Sequence, residues 1–197
     1  MRTGCSIRLV DASGSPIAQL GSLAELLRER NRLDSKVAEV IGRPALTGHI
    51  GEFIASVIFD IDLHPMANAA ASDGVFAAGM LKGATVNIKF YGKDHGLLDL
   101  PSCGKPTADY ILVLAGRRSS ATSSKGQSPP IQIQKVYLFQ STELLDTLHA
   151  SRTKIGVATS VKRSLWDAAE IYPSNGTALL ELDERQRDLL PLFSTGR

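Results

Sequence analysis

The stretch VNIKFYG, residues 86–92, decides the fold of this 197-residue chain. Val, Ile and Phe alternate along it with Asn, Lys and Tyr. An alternation with a period of two predicts a β-strand with one buried face and one polar face. Asn87 and Lys89 stand two residues apart on that polar face. They belong either to the solvent-exposed face of a strand or to a small polar site. The surrounding sequence is needed to choose between these interpretations.

Strands are predicted on both sides of this stretch, so that it lies within a sheet. The third predicted strand, residues 108–116, is apolar almost throughout, which predicts a central strand buried on both faces. The Ser-, Gly- and Pro-rich segment before the fourth predicted strand indicates a mobile loop within one domain rather than a linker between two domains. The four predicted strands cover residues 73–79, 84–92, 108–116 and 131–139.

Helical patterns flank the predicted strands. The first helix is expected to begin at the capping box formed by Ser22 and Glu25 and to end at Gly42. Apolar residues at helical spacing predict a second helix at about 48–62. Three more are expected after the strands, at 141–151, 160–173 and 179–193. Residues 5–20 resemble a weak hairpin.

This order of elements predicts an α/β or α+β fold, with a mixed sheet of about four strands flanked by helices. We expect an N-terminal extension or hairpin at 1–20, a main domain at 21–173 and a C-terminal helical tail at 174–197. A chain of this length can bury one sizeable core.

Composition narrows the classes of function without choosing one. The net charge of +2 neither indicates nor excludes a nucleic-acid partner. Residues 86–136, however, carry seven Lys and Arg against three Asp, a local excess of +4 that suits a phosphate backbone. Cys5 and Cys103 lack zinc-site spacing, the N-terminus has no apolar signal core, and the apolar runs are too short to span a bilayer. A cytoplasmic protein without a membrane partner is expected.

Four polar residues stand in apolar surroundings and could meet. Glu52 lies early in the second predicted helix, Asp73 opens the first strand, and Asn87 and Lys89 lie on the second. A hairpin between the two strands would bring Asp73 near Asn87 and Lys89, and the helix could place Glu52 over the same end. The oxygens of Asp73, Asn87 and Glu52 suit Mg²⁺ or Mn²⁺, while Lys89 could orient a water or stabilise charge on a phosphoryl group.

The segments GHIGEFIAS, DGVF, VNIKFYGK and DYILVL, in this order, resemble the PD-(D/E)XK nuclease superfamily, which has the restriction-endonuclease-like fold. Residues 31–173 are also similar to an uncharacterised bacterial family of that superfamily. The resemblance implies that Glu52 matches the helix glutamate, Asp73 the strand aspartate and Lys89 the catalytic lysine. It further implies a Mg²⁺- or Mn²⁺-dependent endodeoxyribonuclease with DNA as its partner, and a homodimer is compatible with it.

Asn87 departs from the superfamily pattern, because it stands where a second carboxylate is usual. The neutral amide leaves the site one negative charge short, which weakens metal binding. A rival hypothesis is therefore a binding module of the same fold that holds nucleic acid or a protein without cutting. Simpler interpretations of the single residues also stay open. Asn87 and Lys89 could form the solvent-exposed face of a strand, Asp73 could be a turn residue, and Glu52 could be an acidic residue in the first helical turn, favoured there by the helix dipole.

Overall fold

A computed structural model of the chain describes residues 15–65, 72–118, 130–174, 177 and 179–194. The chain divides into two compact units, Met1–Ala45 and Leu46–Arg197. The predicted mobile segment falls almost wholly on residues 119–129, which lie outside the described ranges, as does the first part of the predicted hairpin. Within the described ranges, no helix combines the length and apolar character needed to cross a membrane.

The first unit contains one long helix, α1, which spans Pro16–Ile41. It begins before the predicted capping box: Ser15 is the N-cap, its hydroxyl accepts a hydrogen bond from the Ala18 N–H at 3.3 Å, and Pro16 occupies the first turn. Residues 16–20 are therefore helical, and the prediction of a hairpin arm there is wrong. Gly42 ends the helix in the left-handed conformation, as predicted.

The second unit is built on a mixed sheet of six strands in the order β1-β2-β3-β5-β6-β8. Strands β3 and β5 are parallel, and the other neighbouring pairs are antiparallel. A separate two-stranded sheet joins β4 and β7. The strands are β1 (Ile61–Leu63), β2 (Gly74–Phe76), β3 (Thr85–Asp94), β4 (Leu97–Leu98), β5 (Tyr110–Arg118), β6 (Lys135–Gln140), β7 (Thr159–Ser160) and β8 (Glu170–Tyr172).

Helices cover both faces of the six-stranded sheet. On one face α2 packs over a core cluster that includes Ile54, Ile58, Val86 and Leu112. On the other face α3 and α4 pack over a second cluster that includes Trp166. The helices of this unit are α2 (Thr47–Phe59), α3 (Ser141–Ala150), α4 (Arg163–Ala169) and α5 (Glu184–Leu189), followed by a 3-10 turn at Leu190–Phe193.

The mixed α/β class is confirmed, but the expectation of about four strands is wrong. The two additional strands lie at the sheet edges and are three residues each, β1 and β8. Both follow a helix directly, so that their apolar residues extended the helical pattern in the sequence. Asp60 ends α2 in the left-handed conformation at φ 51°, and the chain then enters β1 instead of continuing the predicted helix to residue 62.

The central position of β5 is confirmed. It lies between β3 and β6, and its residues 111–116 are buried. A strand that contributes to the clusters on both faces of a sheet needs apolar side chains in both directions, which is why its sequence does not alternate.

The C-terminal segment is part of the core. Leu182 and Leu190 are buried in the same cluster as α2. Arg185 donates hydrogen bonds to the carbonyls of Val57 and Ile58 at 3.0 and 3.2 Å and forms an ion pair with Asp60 at 2.6 Å. These carbonyls belong to the last turn of α2, where helix geometry leaves them without an intrahelical donor. The segment therefore caps α2.

Candidate active site on strand β3

Strand β3 presents Asn87 and Lys89 on one face and buries Val86 and Ile88 on the other. It pairs with β2 only at Thr85 and Val86, whereas its pairing with β5 runs the length of the strand. Beyond Val86, the edge of β3 that faces β2 thus has no continuing ladder. The segment 87–89 lies along this unpaired edge of β3.

Asp73 lies beside the same segment. Its N–H donates to the carbonyl of Val86 at 3.0 Å, and its carboxylate Oδ2 accepts from the N–H of Ile88 at 2.6 Å. The side chain thus satisfies a backbone donor that the short strand β2 leaves unpaired. Asp73 thus contacts the backbone between Asn87 and Lys89, although it is not among the residues that line the cavity on that strand face.

Asn87 and Lys89 line a cavity of about 360 Å³ on the α3 side of the sheet. The amide nitrogen of Asn87 donates to the Thr107 hydroxyl at 2.6 Å, so that the amide oxygen is left as an acceptor. Lys105 also lines the cavity and adds a second ammonium group. Two cations and a hydroxyl around one concave surface suit the oxygens of a phosphate.

Ser141 supplies the buried end of this cavity. It is the first residue of α3, the residue is 1% exposed, and its hydroxyl finds no hydrogen-bond partner among the described residues. A buried hydroxyl without a partner is costly, and the N-terminus of a helix carries a partial positive charge. The helix end therefore adds a positive potential to this end of the cavity.

Asp99 forms another part of the cavity wall. Its carboxylate accepts from the Ala158 N–H at 2.8 Å, and its own N–H donates to the Tyr91 hydroxyl at 2.9 Å. Burial raises the pKa of Tyr91 to about 12, so this phenol stays neutral at physiological pH. These bonds hold the loop after β4 against β3.

Glu52 approaches β3 from the other face of the sheet. Gly51 packs directly on Phe90, where an added Cβ would lie 2.6 Å from the Phe90 Cβ. Glu52 is the next residue of α2 after Gly51, and it is half-buried. Phe90 belongs to the opposite side of the strand from Asn87 and Lys89. The structure therefore places Glu52 close to β3, but not among the residues that line the cavity.

The oxygen donors near the segment 87–89 are few. No group of three or more His, Cys, Asp or Glu side chains is positioned to hold a metal within the described ranges. The available donors are the Asp73 carboxylate and the Asn87 amide oxygen, with Glu52 on the adjacent helix. Mg²⁺ keeps several waters and commonly uses one or two carboxylates together with substrate phosphate oxygens.

No family model matches the chain, and no curated protein matches it either.

The sequence did not reveal two of the cavity residues, Thr107 and Ser141. Thr107 lies in a loop, 20 positions from its partner Asn87, and Ser141 reads as an ordinary first residue of a helix. Their only sequence signal is a hydroxyl just before a buried strand and just after one, which is too common to interpret. Lys105 was part of the basic excess, but nothing in the sequence directed it to this cavity.

Proposed function

We propose that the chain is a metal-dependent nuclease-like domain with a restriction-endonuclease-like core, which hydrolyses DNA phosphodiester bonds. The observation that carries the proposal is the gathering of Asp73, Asn87 and Lys89 around one backbone position, Ile88, next to a cavity with anion-binding character. Carboxylate and amide oxygens can serve as ligands for a divalent ion, and a lysine can stabilise the charge on a phosphoryl group.

Asp73 and Asn87 would hold a Mg²⁺ or Mn²⁺ ion, and Glu52, the third predicted ligand, would have to reach this ion around the unpaired edge of β3 because it approaches from the opposite face. When bound, the ion supplies Lewis-acid stabilisation of a phosphoryl oxygen and lowers the pKa of a coordinated water. Asp73 retains one carboxylate oxygen beyond the one bonded to Ile88. The hydrogen bond from Ile88 also fixes the direction in which this carboxylate points, so the donor does not have to be ordered at the moment of binding.

Lys89 has the role of a cation at the reacting phosphate. Its position on a sheet strand, paired through Val113 of β5, fixes its backbone. An ammonium group held there can orient the attacking water and stabilise the charge that develops on the phosphoryl oxygens. Lys105, on another wall, binds the substrate phosphate in the same cavity.

The rival hypothesis, a nucleic-acid-binding module that does not cut, rests on Asn87. The amide is neutral, and its nitrogen is held by Thr107. In that case the same cavity binds a backbone phosphate through its lysines without a metal ion. The dependence of activity on metal separates the two hypotheses.

Asn87→Asp tests the metal position directly. Because a carboxylate is a stronger ligand for hard cations than an amide oxygen, we expect Mg²⁺ or Mn²⁺ to bind about tenfold more tightly or better by calorimetry. The Thr107 hydroxyl can turn from acceptor to donor, so the local hydrogen bond survives. The melting temperature should also rise with added metal.

Two control variants make this result specific. Asp73→Asn in the same background should abolish both gains, since the two side chains share the ion. Asn31→Asp makes the identical change on the exposed surface of α1 and should leave metal affinity unchanged. Equal metal affinity of Asn87→Asp and the wild type would remove Asn87 from the metal site.

A further inference from the structure

Helix α1 exposes an apolar face along its length. None of its 26 residues is buried, and all of them lie within the described ranges. Six large apolar residues, each between 45% and 72% exposed, form what we call the α1 stripe: Leu20, Leu23, Leu26, Leu27, Leu33 and Val40. Helices in proteins gain most of their stability from packing such a face, and a continuous exposed apolar surface marks an interaction site.

The α1 stripe has the seven-residue repeat of a coiled coil. In heptads labelled abcdefg, the d positions are apolar throughout, the a positions are apolar except at the middle of the helix, and the e positions add further apolar residues. The d residues are Leu26, Leu33 and Val40, the a residues are Leu23, Arg30 and Val37, and the apolar e residues are Leu20, Leu27 and Ile41. A repeat of seven that continues along a helix about 39 Å long is typical of helices that wind around one another.

Arg30, the exception among the a positions, decides the orientation of such a pair. In a parallel pair in register, a positions face each other, so that Arg30 would meet Arg30 of the partner subunit. In an antiparallel pair, a positions face d positions, and Arg30 lies opposite Leu33 of the partner subunit. The stem of Arg30 can pack on this leucine while its guanidinium stays with Asp34 of its own helix, 3.4 Å away.

The charges beside the stripe favour the same orientation. In the antiparallel pair, Glu29 at a g position lies next to Lys36 of the partner subunit, and the two-fold axis repeats this attraction. A parallel pair would instead place Glu29 next to Asp34 of the partner subunit, and the two carboxylates would repel each other. Glu29 pairs with Arg32 of its own helix at 2.6 Å, but both side chains are more than half exposed, so Glu29 remains accessible.

The overall charge of α1 argues against other occupants of the stripe. The helix carries four Lys and Arg against four Asp and Glu. A balanced helix of this kind is attracted neither to an anionic lipid surface nor to a phosphate backbone, since both select an excess of basic residues. Charges of both signs are what a self-complementary pair of helices requires.

We propose that α1 is a dimerisation helix, which binds α1 of a second copy of this chain in an antiparallel coiled coil. In this register Leu23 faces Val40 of the partner subunit and Leu26 faces Val37 of the partner subunit, and two-fold symmetry forms each contact twice. The inference does not rest on the proposed nuclease function, because no residue that lines the cavity beside β3 belongs to α1.

Light scattering of the full-length wild-type protein during size-exclusion chromatography tests the dimer. Over the micromolar range we expect twice the mass of one chain, decreasing towards that of one chain on dilution. Leu26→Gln removes a leucine from two places in each dimer, so the dissociation constant should rise about 100-fold or more. Ile17→Gln is the matched control, because Ile17 is 81% exposed on the same helix but lies at a b position outside the stripe, and it should leave the dissociation constant unchanged.

Both leucine and isoleucine are exposed at these two positions in the single chain, so neither variant should lose its fold, and circular dichroism checks this. The proposal is overturned if the wild type has the mass of one chain throughout the micromolar range. It is equally overturned if Leu26→Gln and Ile17→Gln form dimers of the same strength, because the dimer would then use another surface.

Glu29→Lys tests the orientation. In the antiparallel pair this change sets two lysines side by side, so dimerisation should weaken about fivefold, and Lys36→Glu in the same background should restore it. In a parallel pair the same change would place a lysine next to Asp34 of the partner subunit and strengthen the dimer. A tighter dimer of Glu29→Lys would therefore contradict the antiparallel coiled coil.

Discussion

Lys89→Ala is expected to reduce metal-dependent cleavage of DNA by about 100-fold or more, because it removes the cation that serves the reacting phosphate. The fold should be unaffected. Lys89 projects from β3 into the cavity, and its half-buried side chain gives up little packing when shortened. Cleavage rates in Mg²⁺ and Mn²⁺, measured together with thermal melting, separate the two effects.

Lys93→Ala is the matched control for this prediction. Lys93 is a half-buried lysine of the same strand that does not line the cavity. Its replacement should leave the cleavage rate within about twofold of the wild type. If Lys89→Ala cuts as fast as the wild type, Lys89 has no catalytic role; if it unfolds, the lysine is structural.

Gly116→Ala is expected to give the largest loss of stability, more than about 4 kcal/mol, or to prevent folding. Gly116 lies on the central strand β5, and a Cβ there would stand 2.1 Å from the Gly92 carbonyl oxygen and 2.7 Å from its carbon. Both atoms belong to the backbone of β3, which cannot withdraw without breaking the parallel pairing of the two strands. Overpacking against backbone has no side-chain rotamer to relieve it.

Urea denaturation measures this effect, with Gly21→Ala as the control. Gly21 lies inside α1, and a Cβ there would meet nothing within 4 Å. Since alanine is the better helix former, that variant should gain about 0.5–1 kcal/mol. A Gly116→Ala protein within 1 kcal/mol of the wild type would show that β3 and β5 are not packed as closely as described.

The sheet could be predicted where the pattern of side chains is long enough to have a period. The alternation from Val86 and the apolar run from Ile111 correspond to β3 and β5, the two strands that form the parallel pair. The edge strands β1 and β8 have three residues each and directly follow a helix, so no period distinguishes them from the helix end. Their identity comes from pairing with β2 and β6, which is a tertiary property.

The polar grouping was predictable only in part, for a similar reason. A two-residue spacing places Asn87 and Lys89 on one face of a strand, and the structure places both in one cavity. The position of Asp73 depends on a hairpin, and its bond to Ile88 exists because β2 begins only at Gly74, one residue after Asp73. Thr107 and Ser141 line the cavity through the packing of a loop and of α3 against the sheet, which spacing along the chain does not encode.

The central claim, that β3 carries a metal-dependent phosphodiesterase site, is tested most directly by incubating the purified wild-type protein with a panel of DNA and RNA substrates. The panel covers single- and double-stranded forms, each with Mg²⁺, with Mn²⁺ and with a chelator. We predict cleavage of at least one DNA substrate in the presence of metal and none in the chelator. Absence of metal-dependent cleavage from every substrate would contradict the account, and binding of the same substrates with and without metal would identify the chain as a binding module.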